Sequence, residues 1–190
     1  MKKYLPIFII IAGLVFIGYG VWEVVDISHK TEQTLDEVKL ALKSPSGKNE
    51  GSDKEEFKPK FGEAVGILEI PKINAELPIV EGTDADDLEK GVGHYKGSYY
   101  PDENGQIVLS GHRDTVFRRT GELKKGDQLK VKLPYGSFQY KIENMKIVDK
   151  NDTSIITLQH SEEELILTTC YPFSYIGNAP KRYIIYGKRI

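Results

Sequence analysis

One stretch of the chain is apolar without interruption: from Tyr4 to Trp22, YLPIFIIIAGLVFIGYGVW, no side chain is charged. As a helix this run rises about 28 Å at ~1.5 Å per residue, close to the hydrocarbon thickness of a bilayer. Lys2 and Lys3 precede it and Glu23 and Asp26 follow, so the excess of positive charge places residues 1–3 in the cytoplasm and the chain beyond 22 outside. A cleaved signal peptide needs a shorter apolar core and a small-residue exit. GYGVWEVVD supplies neither, and residues 4–22 read as a retained transmembrane anchor.

Past the anchor the apolar positions thin out. Val24, Val25, Ile27, Leu35, Val38, Leu40 and Leu42 recur among charges at loosely helical spacing, with no proline or glycine before Lys43, which predicts a helical stalk. Residues 44–60, SPSGKNEGSDKEEFKPK, hold one aromatic and are otherwise almost wholly small, proline or charged. Such a composition buries too little apolar surface to offset chain ordering and reads as a flexible linker, so 23–60 form an extracellular stalk and linker.

From residue 61 the period shortens. AVGILEI (64–70), ELPIV (76–80), GQIVLSG (105–111), DQLKVKL (127–133), SFQYKIENMKIV (137–148), ELILTT (164–169) and RYIIYGK (182–188) are short, rich in β-branched or aromatic residues and bounded by turn formers. They predict strands. DADDLEKG (84–91) predicts a short helix with acidic residues at its start and glycine at its end, and TSIITLQH (153–160) a turn or short helix. Regularly spaced strands without long intervening helices predict a mainly β domain over 61–190, an antiparallel sandwich or a closed barrel.

Composition narrows the function. With 26 basic against 28 acidic side chains the net charge is -2, which disfavours a nucleic-acid partner. The phosphate-loop, H-E-x-x-H and G-x-S-x-G patterns are missing from the sequence. A single cysteine excludes an internal disulfide and a cysteine-rich zinc site.

That cysteine carries the chemistry. Cys170 ends the strand ELILTT and precedes the eleven-residue connection YPFSYIGNAPK, where reactive side chains are displayed. A small buried apolar residue is the ordinary fate of a cysteine. An unpaired thiol outside the cytoplasm, however, is exposed to oxidation and needs either burial or a task. A nucleophilic thiol also needs a proton partner. Of the four histidines, His29 is in the stalk, His160 precedes the charged run SEEE, and His94 sits in a glycine- and tyrosine-rich loop. His112 instead follows the apolar strand IVLSG, at its end, beside Arg113 and Asp114.

Arg182 begins the last strand, twelve residues after Cys170, so antiparallel pairing sets its guanidinium beside the thiol. Arg189 is an odd number of residues further on and faces the other way on an unbroken strand. Arg113, Arg118 and Arg119 read as solvated or packed along the loop after His112.

At these residues the chain resembles the sortases, the cysteine transpeptidases that attach surface proteins to the Gram-positive envelope. The resemblance lies in ILTTC at 166–170, SGHRDT at 110–115 and NAPKRY at 178–183, in that order and after an anchor. Ile166 departs from the threonine usual there. GHRDTVF and TTCYPFSYIGNAPKRY are most similar to class D, and no D-P-W or D-P-F lid precedes the domain.

The resemblance implies an eight-stranded closed β-barrel with one or two short helices and a catalytic trio of Cys170, His112 and Arg182. It further implies cleavage of an L-P-x-T-G/A-type sorting signal after Thr through a thioester on Cys170. The acceptor it implies is a cell-wall peptide amine, on peptidoglycan or its lipid-linked precursor. No cofactor is expected; calcium dependence is left open, since Asp84, Asp86 and Asp87 read as a helix start rather than a ligand cluster. A membrane-tethered cysteine protease acting by hydrolysis, and a noncatalytic wall-binding β-domain, are the two competing classes.

Overall fold

In a computed structural model, residues 4–43, 57–174 and 177–190 are described. Most of the stretch read as a linker, 44–56, lies outside them. A helix, α1 (Leu5–Lys43), precedes β1 (Ala64–Ile70), β2 (Ala75–Glu81), the short helix α2 (Ala85–Lys90), β3 (Val92–His94) and β4 (Gln106–Ser110). β5 (Gln128–Leu133), β6 (Gly136–Asp149), β7 (Glu164–Tyr171) and β8 (Lys181–Arg189) follow.

These eight strands close into a barrel in the order β1-β2-β3-β4-β7-β8-β6-β5, with β5 pairing back onto β1. Of the antiparallel sandwich and closed barrel that strand spacing allows, the barrel is the one formed, as the resemblance implies, but two pairings, β2–β3 and β4–β7, are parallel. Residues 153–160 form turns rather than a helix, and the three-residue β3 occupies what reads as a loop.

Alternation along the strands explains the barrel's two faces. In β7, Leu165 and Leu167 point inward with Leu109, Leu129, Tyr140 and Ile185, all nearly fully buried. Each such aliphatic residue contributes about 1.5–3 kcal/mol relative to exposure. Ile166 points outward, yet it too is buried, against Val108 and Ile184 under Ile155 and Ile156 of the β6–β7 connection. An isoleucine at 166 thus fits a small outer core that fastens this connection to the barrel wall. Gln106 completes the fastening: its Nε2 donates to the Ile155 carbonyl at 3.2 Å, and its Oε1 accepts from the Thr157 and Leu158 amides at 2.9 and 3.2 Å.

The segments before the barrel also pack onto it. Phe57 stands edge-on to Tyr100 and Tyr135, with ring centroids 4.9 and 5.0 Å away. The second half of α1 docks beside β1, β2 and α2: Thr34 and Val38 are buried, Lys30 pairs with Glu89 at 2.8 Å, and Lys39 pairs with Glu76. Its first half is long and apolar enough to cross a membrane and is unburied by protein.

A buried polar cluster ties β2, β3 and the β3–β4 connection together. Glu81 Oε2 lies 2.7 Å from His94 Nδ1 and accepts the Tyr100 hydroxyl at 2.5 Å, while His94 Nε2 lies 3.0 Å from Ser98 Oγ. Burial alone would raise the Glu81 carboxyl, but its hydrogen bonds with His94 and Tyr100 outweigh burial and hold it below its ordinary range. A depressed folded value means that this stabilisation is present above the unfolded pKa of about 4.3 and is lost as pH falls through the folded value. Glu81→Gln is therefore expected to cost about 2–3 kcal/mol at neutral pH in urea unfolding. The gap to wild type should narrow below about pH 4.

Candidate active site

Parallel pairing of β4 with β7 brings the ends of both strands to the same rim of the barrel. Ser110 is opposite Thr168, so the chain leaves β4 toward His112 as β7 continues toward Cys170. Two bonds prolong the register past Ser110: the Gly111 amide donates to the Thr168 carbonyl at 3.1 Å, and the Thr169 hydroxyl donates to the Gly111 carbonyl at 2.7 Å. On β8, Arg182 is the direct antiparallel partner of Cys170, and on its other side it faces Val148 of β6. Directly opposed residues share a face of the sheet. That face is the outer one, since Ile166, two pleats before Cys170, belongs to the outer core.

A pocket of ≈ 290 Å³ opens there, lined by His112, Arg113, Asp114, Lys150, Cys170, Arg182 and residues 177–179. The cysteine, histidine and arginine singled out in the sequence thus border one opening, and the thiol is partly exposed rather than sealed in the core. Arg182 Nη1 donates to the carbonyls of Ala179 and Lys181 at 3.3 and 3.0 Å. A guanidinium has five N–H donors, so those on Nε and Nη2 remain beyond the two on Nη1.

The other candidates lie elsewhere. Arg189 stacks 4.6 Å from the Phe138 ring and pairs with Glu163 at 3.2 Å and Asp102 at 3.5 Å, facing inward at the far end of β8. His94 is buried against Glu81, while His29 and His160 are exposed outside the pocket.

Lys150 and Arg113 also line the pocket, beside the three residues to which the sequence points. Lys150, just past β6, carries no sequence signal of its own. Arg113, which the sequence reads as solvated or packed along the loop after His112, bridges the pocket: its Nη2 donates to the Gly177 carbonyl at 2.8 Å, joining the His112 loop to the β7–β8 connection. Its position next to His112 was the available clue. The start of the β7–β8 connection is held by an aromatic cluster, Phe173 standing edge-on to Tyr171 and Tyr183 at 5.7 and 5.4 Å. Burial there, and then the neighbouring Tyr171, push the Tyr183 phenol up.

Gly111 sets the turn into His112. A Cβ at this position would lie 2.7 Å from Phe117 Cδ2 and 2.8 Å from Val116 Cγ2. Both side chains are buried, so neither yields freely. Gly111→Ala is expected to shift the His112 loop and lower turnover about 10–100-fold, as small misplacements of reacting groups do, with the barrel still folded. Steady-state kinetics alongside thermal unfolding checks this.

A closed eight-stranded barrel with a lone accessible cysteine, a histidine and an arginine around one rim pocket is the architecture of a sortase. The chain belongs to the sortase family: the Sortase domain family model matches residues 68–190. It is 73% identical to Sortase D of Bacillus subtilis (strain 168) over the whole of both chains. It is also 23% identical to Sortase A of Bacillus anthracis, over 66% of this chain and 59% of that one. A solved Clostridium perfringens Sortase D5 transpeptidase superposes with a TM-score of 0.72 at 28% identity, covering 85% of this chain and 99% of its own. The protein is accordingly a sortase-family transpeptidase, most similar to class D members.

Proposed function

We propose that this sortase is held in the membrane by residues 4–22 with its barrel outside the cell. There it cleaves L-P-x-T-G/A-type sorting signals after Thr and joins the protein to a cell-wall peptide amine. The observation that supports this most is the single pocket shared by Cys170, His112 and Arg182.

Each step assigns one task to one group. The Cys170 thiolate attacks the Thr carbonyl carbon, forming a C–S bond and placing negative charge on the former carbonyl oxygen. Arg182 donates to that oxyanion, where preorganised donors act most strongly. Collapse of the intermediate breaks the C–N bond while the His112 imidazolium gives its proton to the departing amine, leaving a thioester. An acceptor amine then attacks the thioester, His112 takes back a proton, and a new amide forms as the thiolate departs.

The test is incubation of the full-length protein in detergent with an L-P-x-T-G peptide and a tripeptide or pentaglycine amine, with products separated by mass. Transfer product should exceed hydrolysis product. Exclusive hydrolysis at saturating amine would favour a tethered protease, and no cleavage of any sorting-signal peptide a noncatalytic domain. His112→Ala should lower transfer about 10²–10⁴-fold, the range for loss of a general acid–base group.

A further inference from the structure

A second cavity lies between α1 and the loop that follows His112. Its volume is ≈ 520 Å³; Val24, Ile27 and Ser28 line it from the helix, and Val116, Arg118 and Arg119 from the loop. Asp114 lines both this cavity and the pocket around Cys170, so one loop separates the two.

The height of the cavity's helix wall above the apolar span follows from helix geometry. α1 runs unbroken from Leu5 to Lys43 and is clamped to the barrel, where Thr31 Oγ1 donates to the Glu89 carbonyl at 3.2 Å and Thr34 and Val38 are buried. At ~1.5 Å per residue, Val24 lies about 3 Å and Ser28 about 9 Å beyond Trp22, where the uncharged run ends. A bilayer's polar layer is about 5–7 Å deep on each side. The cavity also runs up the helix past Thr31 to Leu35, about 20 Å beyond Trp22, so its lower end, at Val24, is the part that opens at that layer.

The loop's charge suits that layer. Residues 113–125, RDTVFRRTGELKK, hold five basic and two acidic side chains in a chain whose net charge is -2. Arg118 is exposed, whereas Arg119 is engaged with Glu122 at 2.8 Å and with the Ile73 carbonyl at 2.8 Å. Of the other charged groups lining the cavity, Asp114 belongs to the loop and Glu32 sits about 15 Å beyond Trp22, above the polar layer.

We propose that the 113–119 loop, with Arg118 foremost, binds the phosphate headgroups of anionic phospholipid in the leaflet that α1 leaves, the adjoining apolar wall of Val24, Ile27 and Val116 resting on the uppermost acyl carbons. This rests on the reading of α1 as a membrane span. Docking of the loop holds the Cys170 pocket close to the membrane surface, since Asp114 lines both openings.

Cys170 is the only cysteine, so Cys170→Ala gives a clean background for single labels on the full-length chain. A fluorophore is placed at Asp114→Cys, at Lys188→Cys near the far end of β8, or at Tyr19→Cys within the span. Each protein is reconstituted in phosphatidylcholine vesicles with and without phosphatidylglycerol, with nitroxide on either headgroups or acyl chains. Acyl-chain quenching at 19, and headgroup quenching at 114 but not at 188, is expected. Quenching at 114 should increase with phosphatidylglycerol and be insensitive to added inorganic phosphate. Adding Arg118→Glu should lower the docked-to-undocked ratio at least about fivefold, the surface contribution of one basic side chain. Quenching at 19 with equal signals at 114 and 188, or no effect of Arg118→Glu, overturns the docking while leaving the span intact. No acyl-chain quenching at 19 overturns both, and loss of the 114 signal with free phosphate would assign the site to a soluble anion instead.

Discussion

Cys170→Ala is expected to reduce both peptide cleavage and amine transfer to the uncatalysed background, a loss of at least about 10⁴-fold, because in the proposed mechanism every later step needs the sulfur to hold the acyl group. The fold should be untouched. Cys170 lies partly exposed on the outer face, away from the core of Leu165 and Leu167, so its truncation opens no buried cavity. A stability change within about 0.5 kcal/mol follows for such a site. Turnover and unfolding measured on the same preparation separate a dead enzyme from an unfolded one. Residual transfer above a tenth of wild type, in a folded protein, would remove Cys170 from the mechanism.

Arg182→Ala should cost about 10²–10³ in turnover, or 2.7–4 kcal/mol, the usual effect of deleting one oxyanion donor, with substrate KM changed much less. Arg182→Lys keeps the charge but not the fork of donors, and should recover only part of the rate. The informative control is Arg189. It bonds to Glu163 and stacks on Phe138 at the opposite end of β8, so Arg189→Ala should lower the melting temperature and leave turnover per folded molecule near wild type. Normal turnover by Arg182→Ala, with Arg189→Ala inactive, would reverse the assignment of the two arginines.

Much of this arrangement is legible in the residues, for identifiable reasons. Strand alternation separates Arg182 from Arg189, because an odd spacing on an unbroken strand must place them on opposite faces, and β8 pairs with β7 without a bulge. Turn formers bound seven of the eight strands. The missing one, β3, is only Val92–His94, with a glycine at its centre, too short for a two-residue period to register. Parallel pairing of β4 and β7 leaves no local mark either, since it depends on which strands become neighbours in the closed barrel. Yet that pairing sets His112 and Cys170 at one rim.

Lys150 has no local mark for the same reason: its place in the pocket lining comes from β6 running alongside β8, where Val148 opposes Arg182. The stalk carried a weak helical pattern. That it docks on the barrel rests on a few contacts, Lys30 with Glu89 and the burial of Thr34 and Val38, which no periodicity distinguishes from a solvated helix.

The proposed mechanism requires a covalent bond between Cys170 and the substrate. Intact-mass spectrometry of the protein quenched in acid after exposure to an L-P-x-T-G peptide, without an amine acceptor, should show an added mass equal to the peptide fragment ending in Thr. The mass should map to Cys170, vanish on treatment with hydroxylamine, and be missing from Cys170→Ala. Multiple turnovers with no such adduct at any quench time, or an adduct elsewhere on the chain, would contradict it.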